Sequence, residues 1–323
     1  MVNGGTDHRT DKHELRSGLL ASILSCLLMP FGMGQTTAPS PVSSLFHYDS
    51  TAPLRIHDVI LEAFDGGSVH DITYQSANGR RVDAYLVEPS GKGPFAAILF
   101  AHWANGTRAE FLAEAKLYAR EGTVSLLPSY SWDLPNGIAP NHFDAPLRDR
   151  EIEAGAVVDC QRGIDLLLAR DDVDAKRLAV VGHSFGAQWA AILTSLDKRI
   201  STSVIIAGAG EQADILVRGN NPALVSLRRS LPANELSNYS KAVADLDAIR
   251  FIGRTAPTPI LMQFGRLDQY IDLISMHRYA TAASPNTITQ FYDADHEVND
   301  PRALKDREEW LATHLRLRAI PTG

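Results

Sequence analysis

The sequence predicts an α/β protein: a mostly parallel sheet of eight strands, helices on both faces of the sheet, and a partly helical cap insertion. The first observation is a pair of alternating segments, VHDITYQS and RVDAYLVEP, joined at Asn78-Gly79 as in a β-hairpin. The second is a series of apolar runs that alternate with amphipathic segments, as in parallel sheets. The third is a long stretch, residues 210–250, that interrupts this alternation.

The remaining elements follow the hairpin in chain order. The strand FAAILFAH, the helix RAEFLAEAKLYAREG and the strand TVSLLPS come first, and a loop, YSWDLPNGIAPNHFDAP, comes next. The helix REIEAGAVVDCQRGIDLLLAR leads to the strand RLAVVGHS. The strands STSVIIAGAG and PILMQFGRLD flank the insertion, and NTITQFYDADH and the helix ALKDREEWLATHLRL complete the pattern. We therefore predict one domain over residues 69–317, with a cap at 210–250.

The N-terminal residues 1–34 have the pattern of a targeting segment. The apolar run Leu19–Met29 follows Arg16 and has the length of a signal-peptide core, which is short for a membrane span. The small residues Gly32 and Gly34 suit cleavage near Gly34. We predict export to the periplasm or medium without stable membrane association, and an uncleaved membrane anchor is the alternative. Residues 35–68 are predicted to be a linker and N-terminal extension.

Composition excludes several classes of function. The chain has 323 residues, a formal net charge of −7 and a pI of about 5.9. It has no stripe of Lys and Arg with interleaved aromatic residues, so we expect no nucleic-acid partner. The two cysteines, Cys26 and Cys160, form no CxxC pair, and no His/Cys/Asp cluster has zinc spacing. We therefore expect no metal and no disulfide framework, and the oligomeric state stays open.

The segment Gly182-His183-Ser184-Phe185-Gly186 matches G-x-S-x-G, between a predicted strand and a predicted helix. Such a bend strains the backbone of the serine, and side chains at the flanking glycines would collide with neighbouring elements. It also places the Ser184 hydroxyl at a helix N-terminus, where negative charge is stabilised. The pattern predicts a nucleophile, and a plain turn is the alternative.

A nucleophilic serine needs a base, and the base needs an acid that orients it. Asp268 follows the strand PILMQFG, and His296 follows the strand NTITQFYDA. Ligands in open α/β sheets bind at the carboxyl ends of strands, so we assign Asp268 as the acid and His296 as the base. Asp272 is the strongest rival for the acid. We expect His183, inside the bend, to point away from the reaction.

An oxyanion hole needs two N–H groups aimed at the developing charge. We predict that they come from Phe185, next to the nucleophile, and from Trp103, in the loop after FAAILFA. Trp103 could also form the pocket wall. Further candidates for the substrate pocket are the polar and aromatic residues of two loops: His102, Tyr130, Trp132, His142 and Phe143.

The segments DVDAKRLAVVGHSFGAQWA, FGRLDQYI and YDADHEVND resemble the α/β-hydrolase superfamily, over roughly residues 69–317. Within it the chain is most similar to the dienelactone-hydrolase-like and acetyl-xylan-esterase-like group. Dienelactone hydrolases typically carry a cysteine where this chain has Ser184, which favours ordinary carboxylic esters. The resemblance implies a serine esterase that cleaves small-molecule esters through an acyl-enzyme, without a cofactor. The alternatives are a small-peptide or amide hydrolase of the prolyl-oligopeptidase type and a non-catalytic binding module.

Overall fold

A computed structural model describes residues 43–104, 106–130 and 143–317. The predicted targeting segment, residues 1–34, lies outside these residues. Within them one sheet contains the strands β1 (His57–Phe64), β2 (Gly67–Gln75), β3 (Arg81–Pro89), β4 (Phe95–Ala101), β5 (Thr123–Pro128), β6 (Val173–His183), β7 (Thr202–Ile206), β8 (Ile260–Gly265) and β9 (Thr287–Tyr292).

The sheet is mostly parallel, as predicted. Its order is β1-β2-β3-β5-β4-β6-β7-β8-β9, with β1, β2, β3 and β5 paired antiparallel and every pair from β5 through β4 to β9 parallel. The prediction of eight strands was wrong, because the described part of the chain forms nine. The additional strand, β1, falls in the segment 35–68 that we assigned to an extension. It is exposed along nearly its whole length, so its sequence HDVILEAF lacks the alternation that marks a half-buried strand.

Helices cover both faces of the sheet. In the described residues they are α1 (Leu112–Arg120), α2 (Pro146–Leu168), α3 (Phe185–Leu196), α4 (Gln212–Arg218), α5 (Pro222–Ser230), α6 (Ala233–Val243), α7 (Ile249–Ile252), α8 (Leu273–Ala282) and α9 (Pro301–Leu315), with short 3₁₀ turns at Ser43–Phe46 and Ala244–Leu246. Helices α4 to α7 lie in the chain between β7 and β8, where the cap insertion was predicted. No helix in the residues that the structure describes is long and apolar enough to cross a membrane.

The position of β4 in the middle of the sheet explains why its sequence is continuously apolar. Leu99 belongs to the buried cluster that contains Trp189 of α3, on one face of the sheet. Its neighbour Ile98 belongs to the cluster on the other face, with Tyr118 of α1 and Leu311 of α9. Because successive side chains of a strand point to opposite faces, a strand buried on both faces needs apolar residues at every position.

Polar side chains are buried where α2 meets the helices before β8. The side-chain N–H group of Gln212 donates to Glu153 Oε1 at 2.8 Å and to the Tyr239 hydroxyl at 3.2 Å. Burial raises the pKa of Glu153 to about 8, and burial also raises the pKa of Asp247, whose carboxylate accepts from the Gln212 backbone N–H, to about 7. Both carboxyl groups therefore hold protons in the folded protein at pH values where they are ionised in the unfolded chain.

These buried acids make stability fall as pH rises. Between the ordinary pKa of 4.5 and the folded value of about 8, the folded state keeps a proton on Glu153 that the unfolded state has lost. The free energy of unfolding therefore decreases across this window, and Glu153→Gln is expected to make that decrease smaller. Urea unfolding at about pH 5 and about pH 9 measures it. Glu309→Gln, at an exposed site, is the control. An unchanged pH dependence in Glu153→Gln would contradict the assignment.

Candidate active site

Ser184 lies on the sharp bend between β6 and α3. Its backbone has φ 54° and ψ −111°, a strained conformation for a residue with a side chain. A Cβ atom at Gly182 would lie 2.1 Å from the carbonyl oxygen of Gly186, and one at Gly186 would lie 2.0 Å from that of Ala101. The two glycines are therefore required because backbone passes directly against them, and the bend holds the Ser184 side chain at the end of the sheet.

Gly186→Ala is expected to destabilise the protein by about 1–3 kcal/mol or more, since backbone must move to admit the new methyl group. Gly155→Ala is the matched control, because Gly155 lies inside α2 and no atom beyond the helix itself would lie within 4 Å of the added Cβ. That variant is expected to gain up to about 1 kcal/mol of helix stability. Denaturant unfolding of both variants tests this, and equal stability of Gly186→Ala and the native protein would refute it.

The structure brings Ser184, His296 and Asp268 together in one hydrogen-bonded chain. His296 Nε2 is 2.9 Å from Ser184 Oγ, and His296 Nδ1 is 2.7 Å from Asp268 Oδ2. The side chain of Asp268 is fully buried and that of His296 nearly so. This arrangement can take a proton from the serine and stabilise the resulting imidazolium.

Backbone N–H groups hold the carboxylate of Asp268 in place. Its Oδ1 accepts hydrogen bonds from the N–H groups of Tyr270, at 2.7 Å, and Ile271, at 3.0 Å. The rival Asp272 has another role, as its side chain accepts from the Ser275 N–H at 2.7 Å and caps the start of α8. The loop after β8 therefore fixes one carboxylate at the imidazole and the other at a helix terminus.

The two N–H groups predicted for an oxyanion hole have different surroundings. The Phe185 N–H is the first in α3, and the first N–H groups of a helix have no acceptor within the helix. The Trp103 N–H donates to Glu110 Oε2 at 2.8 Å. In this structure the Trp103 amide therefore has an acceptor in the protein, and it would have to leave Glu110 to bind an oxyanion.

The predicted pocket residues that the structure describes are largely buried. The ring of Tyr130 stacks on that of His102 at 3.7 Å, its hydroxyl donates to the His102 carbonyl oxygen at 2.6 Å, and it meets Trp189 edge-on at 4.4 Å. Phe143 lies 4.8 Å from Tyr239, in the cluster formed by α4, α5 and α6. The stacked rings of Tyr130 and His102 stabilise the loop after β4. The other two candidates, Trp132 and His142, lie outside the described residues.

Two residues close to Ser184, His296 and Asp268 were not among the predicted site residues. The ring of Tyr270 lies 4.7 Å from that of His296. Tyr270 follows Asp268 by two residues in the chain, and this spacing could have indicated that it lies near the imidazole. Glu110 was assigned to a helix starting near Arg108, but α1 begins at Leu112 and Glu110 lies in the preceding loop. Both ring nitrogens of His183 have partners, since Nδ1 lies 2.6 Å from Glu110 Oε1 and Nε2 lies 3.0 Å from the His296 carbonyl oxygen.

No group of three or more His, Cys, Asp or Glu side chains in the described ranges is arranged to hold a metal ion. Cys160, at the middle of α2, is buried, and burial raises the pKa of its thiol. A thiol that resists ionisation is a poor nucleophile. The hydrogen-bonded Ser184 is thus the best-placed nucleophile among the described side chains.

The mostly parallel nine-stranded sheet, with helices on both faces and a serine on a strand-to-helix bend, is the α/β-hydrolase fold. No family model matches the sequence, and no curated protein matches it either. Solved structures match over most of their length. An acetyl xylan esterase from Paenibacillus sp. R4 superposes with a TM-score of 0.71 at 19% identity, covering 84% of this chain and 92% of that one.

Two further structures show the same likeness. Acetyl xylan esterase 1 from Thermoanaerobacterium sp. JW/SL YS485 has a TM-score of 0.70 at 14% identity, covering 85% of this chain and 92% of that one. The esterase Pf2001 of Pyrococcus furiosus has a TM-score of 0.55 at 16% identity, covering 80% and 91%. At such low identity these similarities establish the fold, and the activity must be argued from the site.

Proposed function

We propose that the protein is a serine hydrolase that cleaves small-molecule carboxylic esters through an acyl-enzyme. The observation that carries the proposal is the chain of short hydrogen bonds from Ser184 Oγ through His296 to Asp268. Ser184 Oγ lies next to His296, which must take its proton, and His296 lies next to Asp268, which must orient the imidazole. The strained bend at Ser184 supports the proposal, because such strain persists at sites where it serves a function.

In the proposed reaction, His296 takes the proton of Ser184 while the serine oxygen attacks the ester carbonyl. His296 then protonates the leaving alcohol and afterwards activates a water molecule that releases the acid. Asp268 keeps the proton of His296 on Nδ1, so that Nε2 is free to act as the base, and its charge stabilises the imidazolium. These steps need no cofactor and no metal.

The negative oxygen of the intermediate would lie near the start of α3. We propose the Phe185 N–H as one donor, since it stands next to Ser184 and the helix dipole favours negative charge there. The Trp103 N–H stays our candidate for the second donor. Its bond to Glu110 means that substrate binding would have to exchange one acceptor for the other.

The three similar solved structures favour an ester over an amide, because all three proteins are esterases. A panel of p-nitrophenyl esters of increasing acyl length, with the matching anilides, tests this preference. Ester cleavage with little anilide cleavage is expected, and the reverse would favour the amide hydrolase. Labelling by a fluorophosphonate, located on the peptide that contains Ser184, separates an enzyme from a non-catalytic binding module. Absence of both labelling and hydrolysis would refute the proposal.

A further inference from the structure

The carboxylate of Glu110 connects two loops beside the triad to the bend at Ser184. Its Oε2 accepts from the Trp103 N–H at 2.8 Å, and its Oε1 lies 2.6 Å from His183 Nδ1. The other ring nitrogen of His183, Nε2, lies 3.0 Å from the carbonyl oxygen of His296. The imidazole of His183 is almost completely buried, and Glu110 is about one-fifth exposed. The loop of the proposed base is thus tied to the loop after β4 through His183 and Glu110.

The partners of His183 indicate its charge. A carbonyl oxygen only accepts hydrogen bonds, so Nε2 must carry a proton. Nδ1 faces a carboxylate oxygen at hydrogen-bond distance, which favours a second proton there. Burial by itself lowers the pKa of His183, but the hydrogen bond and charge of Glu110 raise it above its ordinary value, with smaller contributions from the bond to the His296 carbonyl and the charge of Glu297. Without Glu110, burial would leave the ring neutral.

We propose that Glu110 and His183 form a buried ion pair that positions the loop of His296, with His183 doubly protonated during turnover. The inference rests on the proposed function, because it concerns the orientation of the base in that reaction. Neither residue needs to touch the substrate, so both are positioning residues. Gly106 makes the pair possible, since a Cβ there would lie 2.4 Å from the Trp103 ring and 3.2 Å from Glu110 Oε2.

The pair acts on His296 through its backbone. The hydrogen bond from His183 fixes the backbone of His296, and thereby the distance from its ring to Ser184. The centroid of the His183 ring lies 5.3 Å from that of His296. The other contacts of the His296 ring are the carboxylate of Asp268, the hydroxyl of Ser184 and the ring of Tyr270.

Two substitutions of Glu110 separate charge from geometry. Glu110→Gln can still accept from Trp103 and can donate to a neutral His183, so it keeps the hydrogen bonds and removes the charge. Because those hydrogen bonds remain, kcat is expected to stay within a few-fold of the native value. Glu110→Ala also releases both loops, and we expect kcat to fall about 10- to 100-fold with KM nearly unchanged.

Glu309→Gln is the matched control. It makes the same chemical change at an exposed site in α9, so kcat and KM should stay as in the native protein. Melting temperatures of all three variants show whether they are folded. Full activity in Glu110→Ala would overturn the proposal.

A measurement without substrate keeps this test separate from that of the proposed function. Just above pH 6.5, the ordinary pKa of histidine, nitrogen-15 NMR of the imidazole groups should show two protonated nitrogens for His183, and one in Glu110→Gln. The signal is assigned by its absence in His183→Gln. A singly protonated His183 in the native protein would refute the ion pair even if the protein hydrolyses esters. A doubly protonated His183 in a protein without esterase activity would leave the pair intact and refute the proposed function.

Discussion

Replacing Ser184 by alanine is expected to lower kcat for ester hydrolysis about 10³-fold or more while the protein stays folded. The hydroxyl oxygen is the atom that His296 Nε2 approaches to 2.9 Å, and alanine removes it without filling new space. The backbone at this position is held by the glycines on either side and by the Ser184 N–H, which donates to the Ile206 carbonyl oxygen at 2.9 Å. None of these contacts involves the side chain, so the bend should persist.

Initial rates on a p-nitrophenyl ester, with circular dichroism and melting of the same sample, measure this effect. Cys160→Ala is the control, because Cys160 is the free cysteine among the described residues and is buried inside α2. It should retain near-native kcat. If Ser184→Ala retained activity in a pure preparation and Cys160→Ala lost it, the nucleophile would have been assigned wrongly.

The sequence was sufficient to predict the residues that come together at the triad, because regular structure determines their positions. Ser184, Asp268 and His296 each follow a predicted strand, and parallel strands bring their carboxyl ends to one edge of the sheet. The glycines around Ser184 could be interpreted in the same way, since a strand-to-helix bend leaves no room for their side chains. Local patterns and one topological rule were enough for these residues.

Contacts formed inside loops could not be predicted in that way. The Trp103 N–H was predicted to be available for an oxyanion, yet it donates to Glu110, seven residues later in the chain. This bond depends on where α1 begins, and helical periodicity alone extends the helix back to Arg108, although the structure starts it at Leu112. Element boundaries are the least determined part of a pattern-based prediction, because the first turn of a helix makes few hydrogen bonds of its own.

The strand β1 was missed for a different reason. Pattern analysis detects a strand through the difference in burial between its two faces. In β1 the two faces hardly differ in burial. Its side chains are mostly exposed on both faces, including those of Val59, Ile60 and Leu61. What places it in the sheet is backbone pairing with β2, from His57 opposite Thr73 to Phe64 opposite Gly67. Backbone pairing of this kind has no signature in the order of side chains.

Asp268→Asn is expected to lower kcat by up to about 10⁴-fold while leaving the fold intact. The N–H groups of Tyr270 and Ile271 require an acceptor, so the amide oxygen of asparagine should take the place of Oδ1. The amide NH₂ group then faces His296 Nδ1 in place of Oδ2. A donor at that position forces Nδ1 to accept, which puts the proton of His296 on Nε2. In that tautomer Nε2 cannot take the proton of Ser184.

Asp272→Asn makes the same chemical change four residues further along the chain and separates the two candidate acids. Asp272 caps α8 by accepting from the Ser275 N–H, and asparagine caps helices about as well as aspartate. We therefore expect near-native kcat and a loss of a few tenths of a kcal/mol of stability, from the removed charge at the helix N-terminus. Ester hydrolysis by both folded variants decides between them. A large loss in Asp272→Asn with near-native activity in Asp268→Asn would transfer the acid role to Asp272, because only the carboxylate that orients His296 can control its tautomer.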